Sequence, residues 1–156
     1  MIPVSSWMTT PVITVEVVDS IARARRLMAE HRINQLPVLD EGKLVGIVTD
    51  RDLRDAYPTS LVIDRTKEID RFAETYTVEE TMTHNVITVR PQTSLETAVR
   101  LLRRHRIGSL PVVEKGELVG IITRSNALDF VLSGQRLKTT SPQRRRKKKP
   151  LKRTRS

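Results

Sequence analysis

Two four-residue stretches hold the residue types that could do chemistry: Thr49-Asp50-Arg51-Asp52 and Thr123-Arg124-Ser125-Asn126. Each follows a glycine and a short apolar run, Gly46-Ile47-Val48 and Gly120-Ile121-Ile122. A threonine thus ends a strand, and a carboxylate or amide follows three residues on. Thr-x-x-Asp is a helix N-terminal capping box, whose side chains satisfy free backbone N–H groups. The same spacing also gathers a hydroxyl, a carboxylate and the positive end of a helix dipole, where a sugar or phosphate could bind. On residue types alone, the cap accounts for both stretches. No rival constellation is present. There is no serine with a placed base, no glycine-rich phosphate loop, no catalytic pair of acids and no cluster with metal spacing. The chain is expected not to be an enzyme, and to need no metal or catalytic cofactor.

The 156 residues suffice for one domain or two small halves sharing a core. There is no cysteine, which excludes disulfides, thiol nucleophiles and zinc-thiolate sites. No apolar run is long enough to span a membrane, and no secretory leader is recognisable, so a soluble, cytoplasmic protein is expected. The net charge of +10 is uneven: residues 137–156 hold ten Lys/Arg and no acid, leaving 18 bases against 18 acids before them. Any attraction to nucleic acid or another polyanion therefore belongs to the tail, and with no aromatic residue there it would be non-specific.

The elements that must position the two stretches follow from pattern. Val12-Ile13-Thr14-Val15 reads as a strand. Asp19 is a candidate cap for a helix over 20–31, with Ile21, Ala24, Leu27 and Met28 at helical spacing. Leu36 to Leu39 and Leu44 to Val48 read as a hairpin turning at Glu41-Gly42, and Thr49 caps a helix ending near Tyr57-Pro58. Residues 58–77 read as a linker packed on the outside, with a short helix between Asp64 and Ala73. His31 and His105 fall at helix ends, where a helix dipole favours positive charge. Trp7 is assigned to packing between subunits.

The pattern then returns 74 residues later without a gap from Val4 to Asp55, with nearly half the positions identical. Met82-Thr83 repeats Met8-Thr9, Val86-Ile87-Thr88-Val89 repeats the first strand, and Leu118-Val119-Gly120-Ile121 repeats Leu44-Val45-Gly46-Ile47. Thr93-Ser94-Leu95-Glu96 offers a capping box where the first copy has Asp19. The expected fold is α/β: two β-α-β-β-α repeats over 1–57 and 78–134, packed with pseudo-twofold symmetry around paired clefts, a linker over 58–77 and a disordered basic tail over 135–156.

The repeat resembles a tandem pair of CBS domains, named for cystathionine β-synthase and often called a Bateman module, of the stand-alone bacterial kind. Val-Ile-Thr-Val, Ile33-Asn34-Gln35-Leu36-Pro37-Val38 and the run from Leu44 to Asp52 carry the resemblance, and the second copy repeats them in register. The resemblance implies a regulatory module that binds an adenosyl ligand such as AMP, ADP, ATP or S-adenosylmethionine between its repeats. It implies a homodimer too, and signalling through a change in repeat or dimer orientation to an effector protein. Carried over residue by residue, one cleft uses Thr49, Arg51 and Asp52 with Met82, Ile87 and Ile107-Gly108-Ser109. The other uses Thr123 and Asn126 with Met8, Ile13, Ile33, Asn34 and Gln35. The carboxylate would accept from ribose hydroxyls, and apolar residues would sandwich adenine. The second copy departs from the pattern, with Asn126 for the acid and Ser125 for the arginine. The neutral residues before Leu-Pro-Val speak against a polyphosphate. A reading of another class is a ligand-free scaffold presenting the basic tail to a polyanion.

Overall fold

The computed structural model describes residues 1–58 and 66–137. The first copy contains strand β1 (Val15–Glu16), helix α1 (Ile21–His31), the hairpin β2 (Gln35–Asp40) and β3 (Lys43–Thr49), and helix α2 (Asp50–Ala56). Helix α3 (Thr66–Thr75) follows. The second copy contains α4 (Leu95–His105), the hairpin β4 (Ser109–Glu114) and β5 (Glu117–Thr123), and α5 (Arg124–Leu132). The repeat read from sequence extends to fine detail. Glu41-Gly42 and Lys115-Gly116 both turn with positive φ, and both hairpins shift register at one place, after Val38 and after Val112.

Each copy has its own core. Ile21, Ala24, Leu36, Val38 and Val48 are buried in the first, and Leu95, Ala98, Leu110, Val112 and Ile122 in the second. These are the apolar faces of an amphipathic helix and of a hairpin, facing each other. Neither core is closed by its own copy. Val78 and Met82, which precede the second copy's helix, are buried in the first core, while Val4, with Ile2, Trp7 and Met8, packs into the second. The lead-in segments are thus exchanged. The Val4 N–H donates to Thr93 O at 2.7 Å, and the Val78 N–H donates to Asp19 O at 2.8 Å.

A proline allows this exchange. Pro37 lies opposite Ile47 in the hairpin, and Pro111 opposite Ile121. Proline has no N–H, so it suits a position where strand partners share no hydrogen bond. The backbone groups of Ile47 point the other way and bond both ways with Thr83, at 3.0 and 2.9 Å; Ile121 does so with Thr9 at 3.1 and 2.8 Å. Met82 and Met8 then cover Gly46 and Gly120, where a Cβ would collide with methionine sulfur.

Several expectations need correction. The strand expected over 12–15 pairs with β2 only from Val15, and of its counterpart only Val89 bridges, to Val112. The reason is the exchange: the chain leaves β5 at Thr9 and must reach β2 by Val15, so the residues between them cross from copy to copy unpaired. The cap of α1 is Ser20, whose Oγ accepts from the Arg23 N–H at 3.1 Å, while Asp19 turns back to the Glu16 N–H at 2.8 Å. Likewise Ser94 caps α4, Thr93 accepts from the Arg90 N–H, and Glu96 pairs with Arg100 instead of closing a box. Trp7, half-buried, stands edge-on to Phe130 of its own chain at 5.3 Å, a contact that does not bear on the expected packing between subunits. The linker is not merely external, since α3 packs on α1 and buries Ala73, with Phe72 stacked on Tyr76. Residues 64 and 65 of the expected linker helix, and 138–156 of the expected disordered basic tail, lie outside the described residues.

Candidate functional site

β3 and β5 end at Thr49 and Thr123, and each threonine caps the helix that follows. Thr49 Oγ1 accepts from the Asp52 N–H at 3.2 Å, and Asp52 Oδ2 accepts from the Thr49 N–H at 2.9 Å. Thr123 and Asn126 form the same reciprocal box, at 3.2 and 2.9 Å. The capping reading therefore holds for both copies. It does not use up Asp52: among the described residues its Oδ1 has no hydrogen-bond donor. Arg51 beside it is exposed and makes no ion pair with a described residue, whereas Asp50 faces Arg54 at 3.7 Å.

The hairpins bring the two capped ends together. Gln35 pairs with Thr49 across the first hairpin, and Ser109 pairs with Thr123 across the second. The Asp50 N–H donates to Asn34 O at 2.8 Å, and the Arg124 N–H donates to Gly108 O at 3.1 Å. Gln35 Oε1 lies 3.7 Å from where a Cβ on Gly108 would stand, so the first residue of β2 comes close to the residue before β4. The hairpin ends that carry Thr49 and Thr123 thus approach each other near Gln35 and Gly108. Ser109, almost fully buried, is at this junction.

The exchanged lead-ins complete the surroundings. Met82 packs on Gly46 of β3, and Thr81 Oγ1 donates to Asp52 O at 3.2 Å. Met8 packs on Gly120 of β5. Ile13 and Ile33 pack at the edge of the first core, and Ile87 and Ile107 at the edge of the second. Sequence reasoning missed Thr9 and Thr81. Asn126 Nδ2 donates to Thr9 Oγ1 at 3.1 Å, across 117 residues of chain. Thr9 was visible as half of the repeated Met-Thr pair, but nothing in the pattern placed it beside the other copy's helix.

Two cavities lie away from these residues. One of about 950 Å³ lies on the outer side of the second copy, lined by Arg90, Thr93, Thr97 and Lys115 among others. Another, about 360 Å³, lies between the copies, where Pro11, Val12 and Thr14 of the crossing segment face Leu39, Leu118 and Val119. It is at the hairpin end of β5, roughly 20 Å along the strand from Thr123. Among the described residues, no group of His, Asp and Glu could hold a metal ion, and no helix is long and apolar enough to cross a membrane.

Comparison with known proteins agrees with this architecture. A family model for the CBS domain matches twice, over residues 4–59 and 78–133. The chain is 36% identical to the CBS domain-containing protein YhcV of Bacillus subtilis, over 78% of this chain and 80% of that protein. It is 42% identical to an inosine-5'-monophosphate dehydrogenase of Korarchaeum cryptofilum, over 76% of this chain but only 22% of that enzyme. Among solved structures, the CBS-domain pair of MJ0100 in complex with 5-methylthioadenosine and S-adenosyl-L-methionine superposes with a TM-score of 0.70 at 30% identity, covering 85% of this chain and 98% of that one. CBSX2 in complex with AMP, a protein of Arabidopsis thaliana, superposes with a TM-score of 0.71 at 31% identity, covering 87% and 100%.

Proposed function

The chain belongs to the CBS-domain family as a tandem pair, and we propose that it is a regulatory module sensing an adenosyl ligand at the junction of its repeats. The observation that carries the proposal is the state of Asp52. One carboxylate oxygen holds the helix cap, and among the described residues the other has no hydrogen-bond donor and the neighbouring Arg51 no ion pair. A carboxylate in that state accepts from adjacent ribose hydroxyls with charge assistance. Arg51 adds attraction for a single phosphate. Met82, Ile87, Ile107 and Ser109 complete this first cleft in the proposal, and the likeness to pairs that hold AMP, S-adenosylmethionine and 5-methylthioadenosine supports the ligand class. The ligand acts by population shift: touching both repeats, it favours one relative orientation, which a homodimer partner or a separate effector reads.

The test is thermal unfolding of the full chain with AMP, ADP, ATP, S-adenosylmethionine and 5-methylthioadenosine, beside Asp52→Asn. The second copy shows why asparagine is the right control: Asn126 makes the same cap as Asp52, at the same 2.9 Å. Asp52→Asn therefore keeps the cap and removes only the charged acceptor. A ligand at 100 times its Kd stabilises by about 2.7 kcal/mol, worth about 5–10 °C here. The shift should vanish in Asp52→Asn while the unliganded Tm stays put. If no ligand shifts the wild type, the ligand-free scaffold replaces this reading.

A further inference from the structure

We propose that the outer groove of the second copy is a separate site for a small organic anion, one with a phosphate or carboxylate group on an apolar body. The inference does not rest on the ligand reading above, which concerns the ends of β3 and β5. This groove, of about 950 Å³, lies at the other end of the second hairpin, where β4 turns into β5 at Lys115-Gly116. Its volume suits a metabolite-sized ligand. Val89, Leu101 and Val113, buried or half-buried, supply its apolar lining.

The polar lining consists almost wholly of donors. Arg90 and Lys115 make no ion pair with a described residue. Thr93 Oγ1 already accepts from the Arg90 N–H at 3.0 Å, and Thr97 Oγ1 accepts from the Ser94 hydroxyl at 2.8 Å. Each threonine keeps its own hydroxyl hydrogen, which meets no acceptor among the described residues. Glu114 is the one acid of the lining, and its Oε1 accepts from the Gln92 amide at 3.0 Å. The groove is thus short of acceptors, and an anionic oxygen supplies them with charge assistance.

This charge is not a demand of the fold. The repeat places Glu16, Asp19, Asp40 and Glu41 where the second copy has Arg90, Thr93, Glu114 and Lys115. At the eleven lining positions the second copy carries two bases and one acid, whereas the first carries four acids and one base, Arg23. The hairpin turns are otherwise alike, with positive φ at both Glu41 and Lys115. Equivalent backbones therefore carry surfaces of opposite sign, and the positive one belongs to the second copy alone.

Amide chemical shifts of the full chain, titrated with phenyl phosphate and with 3-phenylpropionate, test the site. Saturable shifts are expected at Arg90, Thr93, Lys115 and Gly116, and none at Glu16, Asp19, Glu41 and Gly42; the tighter binder names the anionic group. Benzyl alcohol, an apolar body without charge, should move none of them. The double variant Arg90→Glu, Lys115→Glu carries the first copy's own residues at these positions, so it keeps the fold, and its Kd should rise about tenfold or more. Asp52→Asn should leave the titration unchanged, since Thr123 lies roughly 20 Å along β5 from the turn. No saturable shift with either anion would overturn the site. So would equal shifts with benzyl alcohol, an unchanged Kd in the double variant, or loss of binding in Asp52→Asn.

Discussion

Gly46→Ala should destabilise the fold more than Gly120→Ala, although the repeat makes the two glycines equivalent. The three atoms nearest a Cβ on Gly120 all belong to the Met8 side chain, with Cγ at 3.0 Å, Cε at 3.2 Å and the sulfur closer, so no backbone atom of a neighbour stands nearer than 3.2 Å. Methionine has three rotatable bonds and can swing aside. A Cβ on Gly46 would meet Met82 in the same way, but also the Thr83 carbonyl oxygen at 3.0 Å. That carbonyl is fixed, because it accepts the Ile47 N–H at 3.0 Å while the Thr83 N–H donates back at 2.9 Å. Relief of the clash must stretch the bridge that docks the lead-in. Overpacking costs about 1–3 kcal/mol, so Gly120→Ala belongs near about 1 and Gly46→Ala near about 3. Both variants gain a few tenths of a kcal/mol from a less flexible unfolded chain, which cancels in the comparison. At about 2–4 °C per kcal/mol, Tm should fall by about 2–4 °C and about 6–12 °C respectively. Denaturation followed by circular dichroism measures both. Pairing Gly120→Ala with Met8→Ala should remove its extra cost, whereas pairing Gly46→Ala with Met82→Ala should remove only part. Equal losses, or full relief at Gly46, would refute the role given to the Thr83 carbonyl.

Three further outcomes follow from the exchange and the caps. Deleting residues 1–9 should unsettle the second repeat before the first, because Val4 is fully buried there and is worth about 1.5–3 kcal/mol by itself; backbone chemical shifts over 109–123 would change while those over 35–49 hold. Ser94→Ala should cost about 1 kcal/mol and Glu96→Ala less than about 0.5, as judged by urea denaturation, and the reverse order would restore the box expected from Thr93 and Glu96. Leu36→Ala and Leu110→Ala should each cost about 2–5 kcal/mol, since both side chains are fully enclosed; losses under about 1 kcal/mol would mean that the cores repack freely.

What the sequence revealed and what it hid divide along a physical line. Alternation and helical spacing are local, so the hairpins, α1, α4 and the helices after Thr49 and Thr123 were legible. The internal repeat made the second set a check on the first. The caps at Thr49 and Thr123 were legible to the residue, whereas those of α1 and α4 were legible only as regions. Asp19 equals serine as a cap former and Thr93 ranks a little below it, and in both places the serine, Ser20 or Ser94, holds the position. A one-residue choice depends on where the preceding turn leaves the chain, and here Asp19 and Thr93 are already used on the N–H groups of Glu16 and Arg90.

The exchange of lead-ins was hidden for a deeper reason. Val4 to Thr9 and Val78 to Thr83 are copies of one another, so either could dock on either repeat with the same local pattern. The connection decides between them. Thr83 bonds to Ile47 after α3 has packed along α1, and Thr9 bonds to Ile121 of the far copy. Each core is then finished by a segment from the other half, and the two repeats cannot part without opening both. That arrangement makes a useful sensor frame. A rigid tie at Gly46–Met82 and Gly120–Met8 leaves the unpaired crossing residues 10–14 and 84–88 as the natural place for adjustment between copies. The candidate Ile13 and Ile87 sit in those crossings, while Asp52 and Asn126 sit where the tied strands end. A ligand bound at Asp52 and reaching Ile87 would touch both a docked strand end and an unpaired crossing, the arrangement that the proposed population shift calls for.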